Sequence, residues 1–352
     1  MKIRVCLKDM VPYSPGKLKP GAIKLASNEN PLGMSPMAAD ALKQSIGSVS
    51  LYPDGGCVKL KNALSKKHNL ASANICVGNG SDEVLVLIAG AYIEPGDNAV
   101  TSQTTFSEYT FATKLFGGTM KYAPMADGCF QLDAIASLID TKTKLVFLCN
   151  PNNPTGTSFS NDELRAFMKK VPKDTLIVLD EAYREYVDRS DFPDSISLLN
   201  EYDNVIILRT FSKIYGLAGL RVGYGIARPE IITDMEKTRA PFNVNSLAQA
   251  AACAALDDTD FVNKSRAVNR EGKTYLYASF DKLGLKYYKT DANFILVYIN
   301  QDCVAAFEKM MALGVTIRPL RSFGLNDAIR VTIGTPEQNE FFVRCLEKVL
   351  GK

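Results

Sequence analysis

Short apolar runs rich in β-forming residues recur along the first two thirds of this chain. A helical pattern separates most of them from the next, and this alternation restricts the fold more than any other feature. The runs fall at 75–77, 98–101, 144–149, 176–179, 205–208 and 222–226, and the helical patterns at 82–92, 107–116, 133–139 and 161–170. Strands alternating with helices predict an α/β domain with a mostly parallel sheet flanked by helices. The runs VFLC and IVLD are apolar at every position, which fits strands covered on both faces.

Beyond about residue 240 the pattern changes. Two long helical stretches, 247–256 and 261–283, precede strand patterns at 294–297, 315–318 and 330–333, with helices at 304–313 and 337–350. This mixture predicts a smaller α+β domain. The first thirty or so residues, punctuated by Pro12, Pro15, Pro20 and Pro31, read as an extended arm. The expected organisation is an N-terminal arm, 1–34, packing with the small domain; a large domain, 35–245; and a small C-terminal domain, 246–352. No flexible linker intervenes, so a tight cleft between domains is the favoured ligand site.

Composition excludes several chemistries. A net charge of +3 and no basic run longer than Lys66-Lys67 argue against nucleic-acid binding. No segment is apolar for long enough to span a bilayer and no signal peptide is evident, so a soluble cytoplasmic protein is expected. The single histidine, His68, ends a helical pattern in a polar context and reads as a solvated residue, which leaves no His-based triad or multi-His metal site. The eight cysteines show no metal-ligand spacing, and they read as small, reduced packing residues. No metal is expected.

The remaining chemistry sits at strand ends. Gly78-Asn79-Gly80-Ser81-Asp82-Glu83 turns from a strand into a helix, where unpaired backbone N–H groups and the helix dipole suit a phosphate. Glu83 stands where the third glycine of a dinucleotide fingerprint belongs, which disfavours a dehydrogenase. Taken alone, Ser81 or Asp82 reads more simply as a helix N-cap. Thr210-Phe211-Ser212-Lys213 follows another strand and Arg221 lies eight residues on, placing an amine among hydroxyls and a guanidinium. Such a lysine is either a Schiff-base candidate or an ordinary surface residue. Asn153, in Asn150-Pro151-Asn152-Asn153-Pro154, and Asp180 and Tyr183, in Leu179-Asp180-Glu181-Ala182-Tyr183, tip the balance. An acid for a ring nitrogen, two donors for a ring oxygen and an amine for an aldehyde make up the inventory that pyridoxal 5′-phosphate requires.

At these residues the sequence resembles a known family. NPNNPTG (150–156), LDEAY (179–183) and RTFSKIYGLAGLRVGY (209–224) are similar to motifs of the fold-type I pyridoxal-phosphate aminotransferases of class I/II. LASNENPLG (25–33), LYPDGG (51–56), APFNVNSLAQAA (240–251), GVTIRP (314–319) and IRVTIGT (329–335) narrow the resemblance to the histidinol-phosphate aminotransferases. The resemblance implies that Lys213 bonds the cofactor's aldehyde and then shuttles a proton, while Asp180 keeps the pyridine nitrogen protonated. Asn153 and Tyr183 would donate to the ring hydroxyl oxygen. Gly80, Ser81, Asp82, Thr210, Ser212 and Arg221 would hold the phosphate, joined by Tyr52 of the partner subunit, so a homodimer with shared sites is implied. Phe106 occupies the ring-stacking position, in a Thr104-Thr105-Phe106 segment where the family usually has Pro-Thr followed by an aromatic residue.

For substrate, Arg330 and Arg318 would take the carboxylate of the amino donor and the phosphate of histidinol phosphate in turn. Tyr13, on the N-terminal arm, would close over the substrate, and Asn28 would line the site. The expected reaction transfers the amino group between histidinol phosphate and 2-oxoglutarate, giving imidazole-acetol phosphate and glutamate in histidine biosynthesis. An aromatic amino-acid aminotransferase and a phosphothreonine-type decarboxylase are the alternatives on the same scaffold.

Overall fold

The computed structural model describes residues 1–12 and 19–352. Its centre is a seven-stranded sheet. Across the sheet the strands run Thr119–Ala123, Asn98–Ser102, Thr143–Cys149, Leu176–Asp180, Val205–Thr210, Gly223–Ala227 and Ile75–Gly78. The first five are mutually parallel. Gly223–Ala227 runs antiparallel to both of its neighbours, which is the one departure from a parallel sheet. The two central strands are buried along almost their whole length, as their unbroken apolar runs require.

Every strand expected in the large domain is present; the central sheet gains one more, and the short strands Met125–Ala126 and Cys129–Phe130 pair antiparallel beside it. Thr119–Ala123 forms the sheet edge with most of its residues outside the core, so its apolar alternation is too weak to read. The helices Ser81–Tyr92, Glu108–Leu115, Leu132–Ser137 and Asn161–Met168 match the expected stretches to within about two residues. The N-terminus of Asn161–Met168 is set by a capping box between Ser160 and Glu163.

A second apolar core lies around the antiparallel sheet of Phe294–Tyr298, Ala328–Thr332 and Arg318–Pro319. The long helix Thr259–Lys282 and the terminal helix Pro336–Leu350 pack on it through Leu276, Phe280, Phe342 and Leu346. The N-terminal arm is not merely extended. Ile23–Lys24 pairs in parallel with Val315–Thr316, and Leu25 enters this core. The single strand expected at 315–318 is thus two, one facing the arm and one facing Ala328–Thr332. The helix Ser246–Asp257 packs through its alanines into the first core, against the helix Pro36–Ser45.

His68 departs from its expected solvated place. Its Nε2 lies 3.0 Å from the Tyr224 hydroxyl, and burial, aided by Arg209 and Lys67, pushes the imidazole down to about 3. The ring therefore packs as a neutral group. All eight cysteines are unpaired, and among the described residues no cluster could hold a metal ion. No described helix is long and apolar enough to cross a membrane.

Candidate active site

The carboxyl ends of the parallel strands open into a cavity of about 370 Å³ between the two cores. Its floor is Asp180, the last residue of its strand, which is 3% exposed. Tyr109 donates its hydroxyl to Asp180 Oδ2 at 2.7 Å, and the Ala182 N–H donates to Oδ1 at 3.1 Å. Burial pushes this carboxyl up to about 6, against the opposing pull of those two donors. No lysine or arginine among the described residues forms an ion pair with it, so a buried anion faces the cavity without a cation.

Lys213 follows the next parallel strand. Its Nζ donates to the Ser27 carbonyl at 3.2 Å and lies 5.7 Å from the centre of the Tyr183 ring. Burial, reinforced by the positive charge of Arg330, lowers the ammonium to about 8. Lys213 is half-buried and lines the cavity instead of lying on the open surface. The Tyr183 hydroxyl accepts from Asn28 Nδ2 at 2.9 Å, leaving its own proton to donate, and burial keeps the phenol protonated.

Of the three asparagines in the 150–156 segment, only Asn153 lines the cavity. Asn150 and Asn152 are consumed internally: Asn150 bonds both the N–H and the carbonyl of Phe159, and Asn152 bonds Thr104, Thr105 and Thr155. Those threonine bonds hold the loop that carries Phe106, and so do the work left open by the missing proline at 104.

The turn after Ile75–Gly78 makes the anion pocket. Gly80 has φ of +87°, and a Cβ there would stand 2.5 Å from Arg221 Nη2, so only glycine admits the guanidinium so close. Gly80 is itself the N-cap and no side chain caps the helix, which leaves Ser81 and Asp82 in the first turn and removes their reading as caps. Asp82 instead accepts from Arg221 Nη2 at 3.0 Å. Glu83, the misfit in the dinucleotide pattern, accepts from the Asn79 N–H and from Asn243, and so ties down the turn. Ser212 Oγ lies 3.5 Å from Arg221 Nη1, and Thr210 Oγ1 accepts from the Ser212 N–H.

At the far end, Arg318 and Arg330 are cross-strand partners and both line the cavity. Arg330 is buried; it bonds the Ala26 carbonyl at 2.8 Å and the Asn153 side-chain oxygen, and its Nε has no partner. Burial lowers it to about 10. No carboxylate of the described residues pairs with it. Asn28 also lines the cavity, held by Thr332 and Asn293, whereas Tyr13 lies outside the described residues. Tyr52 does not reach this cavity. It is 84% exposed and stacked on Phe242 at 4.8 Å.

Sequence reasoning missed Tyr109. An aromatic residue within a helical pattern reads as core, and only its position three residues after Phe106 connects it with the site. Its ring is fully buried, stacked on Phe147 at 4.9 Å and set edge-on to Phe106.

A buried acid, a neutralisable amine, an anion pocket and a pair of arginines around one cavity define a site for a phosphorylated aldehyde cofactor and an anionic substrate. The chain belongs to the family described as aminotransferase class I and II, whose profile matches residues 20–346. It is 50% identical to a histidinol-phosphate aminotransferase of Moorella thermoacetica, over 99% of this chain and 93% of that one. It is 45% identical to one of Symbiobacterium thermophilum, over 99% of both. Among solved structures, the histidinol-phosphate aminotransferase of Sinorhizobium meliloti in complex with pyridoxal-5′-phosphate superposes with a TM-score of 0.87 at 30% identity, covering 94% of this chain and 91% of that one.

Proposed function

We propose that this protein is a pyridoxal-phosphate-dependent histidinol-phosphate aminotransferase, exchanging the amino group between histidinol phosphate and 2-oxoglutarate. The observation that carries the reading is one cavity lined by Asp180, Lys213 and Arg330, in which neither the buried carboxyl nor the buried guanidinium has an ion-pair partner among the described residues. The donor set fits the cofactor. Gly80, Ser81, Asp82, Thr210, Ser212 and Arg221 would hold its phosphate, Phe106 would cover the ring, and Asp180 would balance the charge of a protonated ring nitrogen. Bound there, the cofactor supplies an aldehyde for amines and an electron-poor ring that accepts the electron pair left when a proton departs from the substrate carbon.

The chain's own residues do the rest. With its pKa at about 8, roughly one Lys213 in ten is neutral at pH 7, against fewer than about one in a thousand for an ordinary lysine. Lys213 Nζ can therefore attack a carbonyl and later carry a proton. Asn153 and Tyr183 orient the ring through its hydroxyl oxygen. Arg330, pre-oriented by Ala26 and Asn153, meets the anionic end of the substrate with Arg318 beside it, so one cationic pair serves a carboxylate in one half-reaction and a phosphate in the other.

The working unit is a homodimer in the cytoplasm. Met34, Met37, Ile46, Val49, Leu51 and Tyr52 expose an apolar surface within one short stretch of chain, which supports burial against a second copy. Tyr52 of the partner subunit would then complete the phosphate pocket. The working division is an arm, a large cofactor domain and a small domain, and the packing of Ser246–Asp257 supports placing that helix with the large domain.

The test is a half-reaction titration of purified protein with histidinol phosphate, glutamate and phenylalanine, read by cofactor absorbance, alongside an assay for carbon dioxide. Rapid spectral change with histidinol phosphate and glutamate is expected. A preference for phenylalanine would replace the reading with an aromatic aminotransferase, and carbon dioxide release would replace it with a decarboxylase. Lys213→Ala should abolish turnover, and a variant that transaminates at the unmutated rate would remove Lys213 from its role.

A further inference from the structure

The hydrogen bond beneath the cavity floor carries a consequence for Asp180 that none of its cavity-lining neighbours shares. We propose that Tyr109 is a positioning residue: its hydroxyl holds the Asp180 carboxylate ionised and fixed in plane, so that the floor of the cavity presents a full negative charge to the ring nitrogen of the cofactor. The proposal rests on the cofactor reading above, and goes beyond it in assigning the control of that charge to a residue that does not line the cavity.

The geometry supports it in three ways. Tyr109 is fully buried, and its 2.7 Å bond to Oδ2 is the only side-chain hydrogen bond given to that carboxyl among the described residues. The ring is clamped, stacked within 5° of parallel on Phe147 and edge-on to Phe106, while its own helix turn is closed by Thr113, which donates to the Tyr109 carbonyl at 2.8 Å. The hydroxyl therefore cannot swing away. A phenol in this setting stays protonated, because burial and then the Asp180 charge hold it well above its ordinary value, so it is a permanent donor.

The other groups around Asp180 do not substitute for it. On the neighbouring strand the Cys149 thiol borders the Tyr109 hydroxyl, but burial keeps it neutral and it donates to the Pro151 carbonyl at 3.4 Å. Tyr183 is neutral and bonded to Asn28. Asp82, on the helix that follows the anion turn, and Glu181, the next residue in the chain, are both anionic and push the Asp180 proton affinity up. Among the described residues, the Tyr109 hydroxyl and the Ala182 N–H are the donors to this carboxylate, and they oppose both those charges and the burial itself. A hydrogen bond to a charged acceptor is a strong one, and once broken here no solvent replaces it.

The experiment compares the full chain with Tyr109→Phe, Asp180→Asn and the double variant. In the absence of cofactor, carbon-13 NMR of the aspartate carboxyls, with Asp180→Asn identifying the Asp180 signal, reads its titration directly. Tyr109→Phe should raise the Asp180 midpoint by about one pH unit, and site-specific 3-fluorotyrosine at 109, a stronger donor of unchanged shape, should lower it. With pyridoxal 5′-phosphate added, Tyr109→Phe should weaken cofactor binding about twofold at pH 7, where the ionised fraction of Asp180 falls from about nine tenths to about one half, but have little effect in the Asp180→Asn background. An unmoved carboxyl midpoint in both Tyr109 variants overturns the proposal, as does an equal loss of cofactor affinity in the two backgrounds, which marks a purely structural role. If Tyr109→Phe does not fold, the fluorotyrosine protein alone decides. Failure of the unmutated chain to bind the cofactor would overturn the functional reading instead, while the cofactor-free titration still tests the Tyr109–Asp180 bond.

Discussion

Asp180 and Glu181 are consecutive carboxylates at one strand end, 3% and 2% exposed, and they point to opposite sides of the sheet. On the side away from the cavity Glu181 is matched on both oxygens. Arg209 donates to Oε2 from Nη2 at 2.7 Å and from Nε at 3.0 Å, and the Ser195 hydroxyl donates to Oε1. On the cavity side Asp180 has two neutral donors and, among the described residues, no ion-pair partner. Burial costs both groups their hydration, but among the described residues only Glu181 has a counter-charge. An acid left uncompensated at the floor of a cavity is complete only with a cationic ligand, whereas a compensated acid in the core holds two strands together.

The two residues should therefore fail differently. Asp180→Asn keeps the shape and removes the charge, and turnover should fall on the order of 10³-fold, the scale of losing one preorganised electrostatic partner at a reacting centre. The fold should survive, because no internal ion pair is broken. Steady-state kinetics beside thermal unfolding checks both halves; near-normal turnover, or a variant that unfolds, would erase the distinction. The next effect is smaller and opposite in kind. Glu181→Gln leaves the Arg209 charge buried without its anion and should destabilise the protein by about 3 kcal/mol, with turnover per folded molecule changed only a few-fold. Urea unfolding measures the first quantity and active-site titration normalises the second.

The contrast also shows what the sequence made legible. The strand ends were readable because buried parallel strands are unbroken apolar runs and chemistry collects where those runs stop, as at Asp180, Asn153 and Lys213. The partners of those residues were not, because pairing is a property of tertiary packing. Nothing local distinguishes Asp180 from Glu181, and only the fold turns one to Arg209 and the other to a cavity. Gly223–Ala227 was recognisable as a strand but not as an antiparallel one, since direction leaves no mark on a five-residue apolar run. Thr119–Ala123 was lost because an edge strand carries polar residues, and Ile23–Lys24 because two residues have no period. His68 looked solvated beside two lysines until Tyr224, more than 150 residues away, covered it.

The smallest expected effect is a pH dependence, and it tests the uncompensated charge in the absence of cofactor. An exposed aspartate gives up its proton near pH 3.9, whereas in the folded chain burial holds the Asp180 proton up to about 6. Between those values the unfolded chain has released the proton and the folded one retains it, so the unfolded state binds fewer protons and stability falls as pH rises. The loss is complete about one unit above pH 6 and should total no more than about 3 kcal/mol relative to Asp180→Asn, in which the group does not titrate. Urea midpoints of the two cofactor-free proteins from pH 4 to pH 8 give the difference directly. A constant difference, or one that grows in favour of the unmutated chain, would mean that the Asp180 charge is already compensated inside the protein. Saturating pyridoxal 5′-phosphate should cancel the fall, because a cationic ring nitrogen would give Asp180 the counter-charge that Glu181 already has in Arg209.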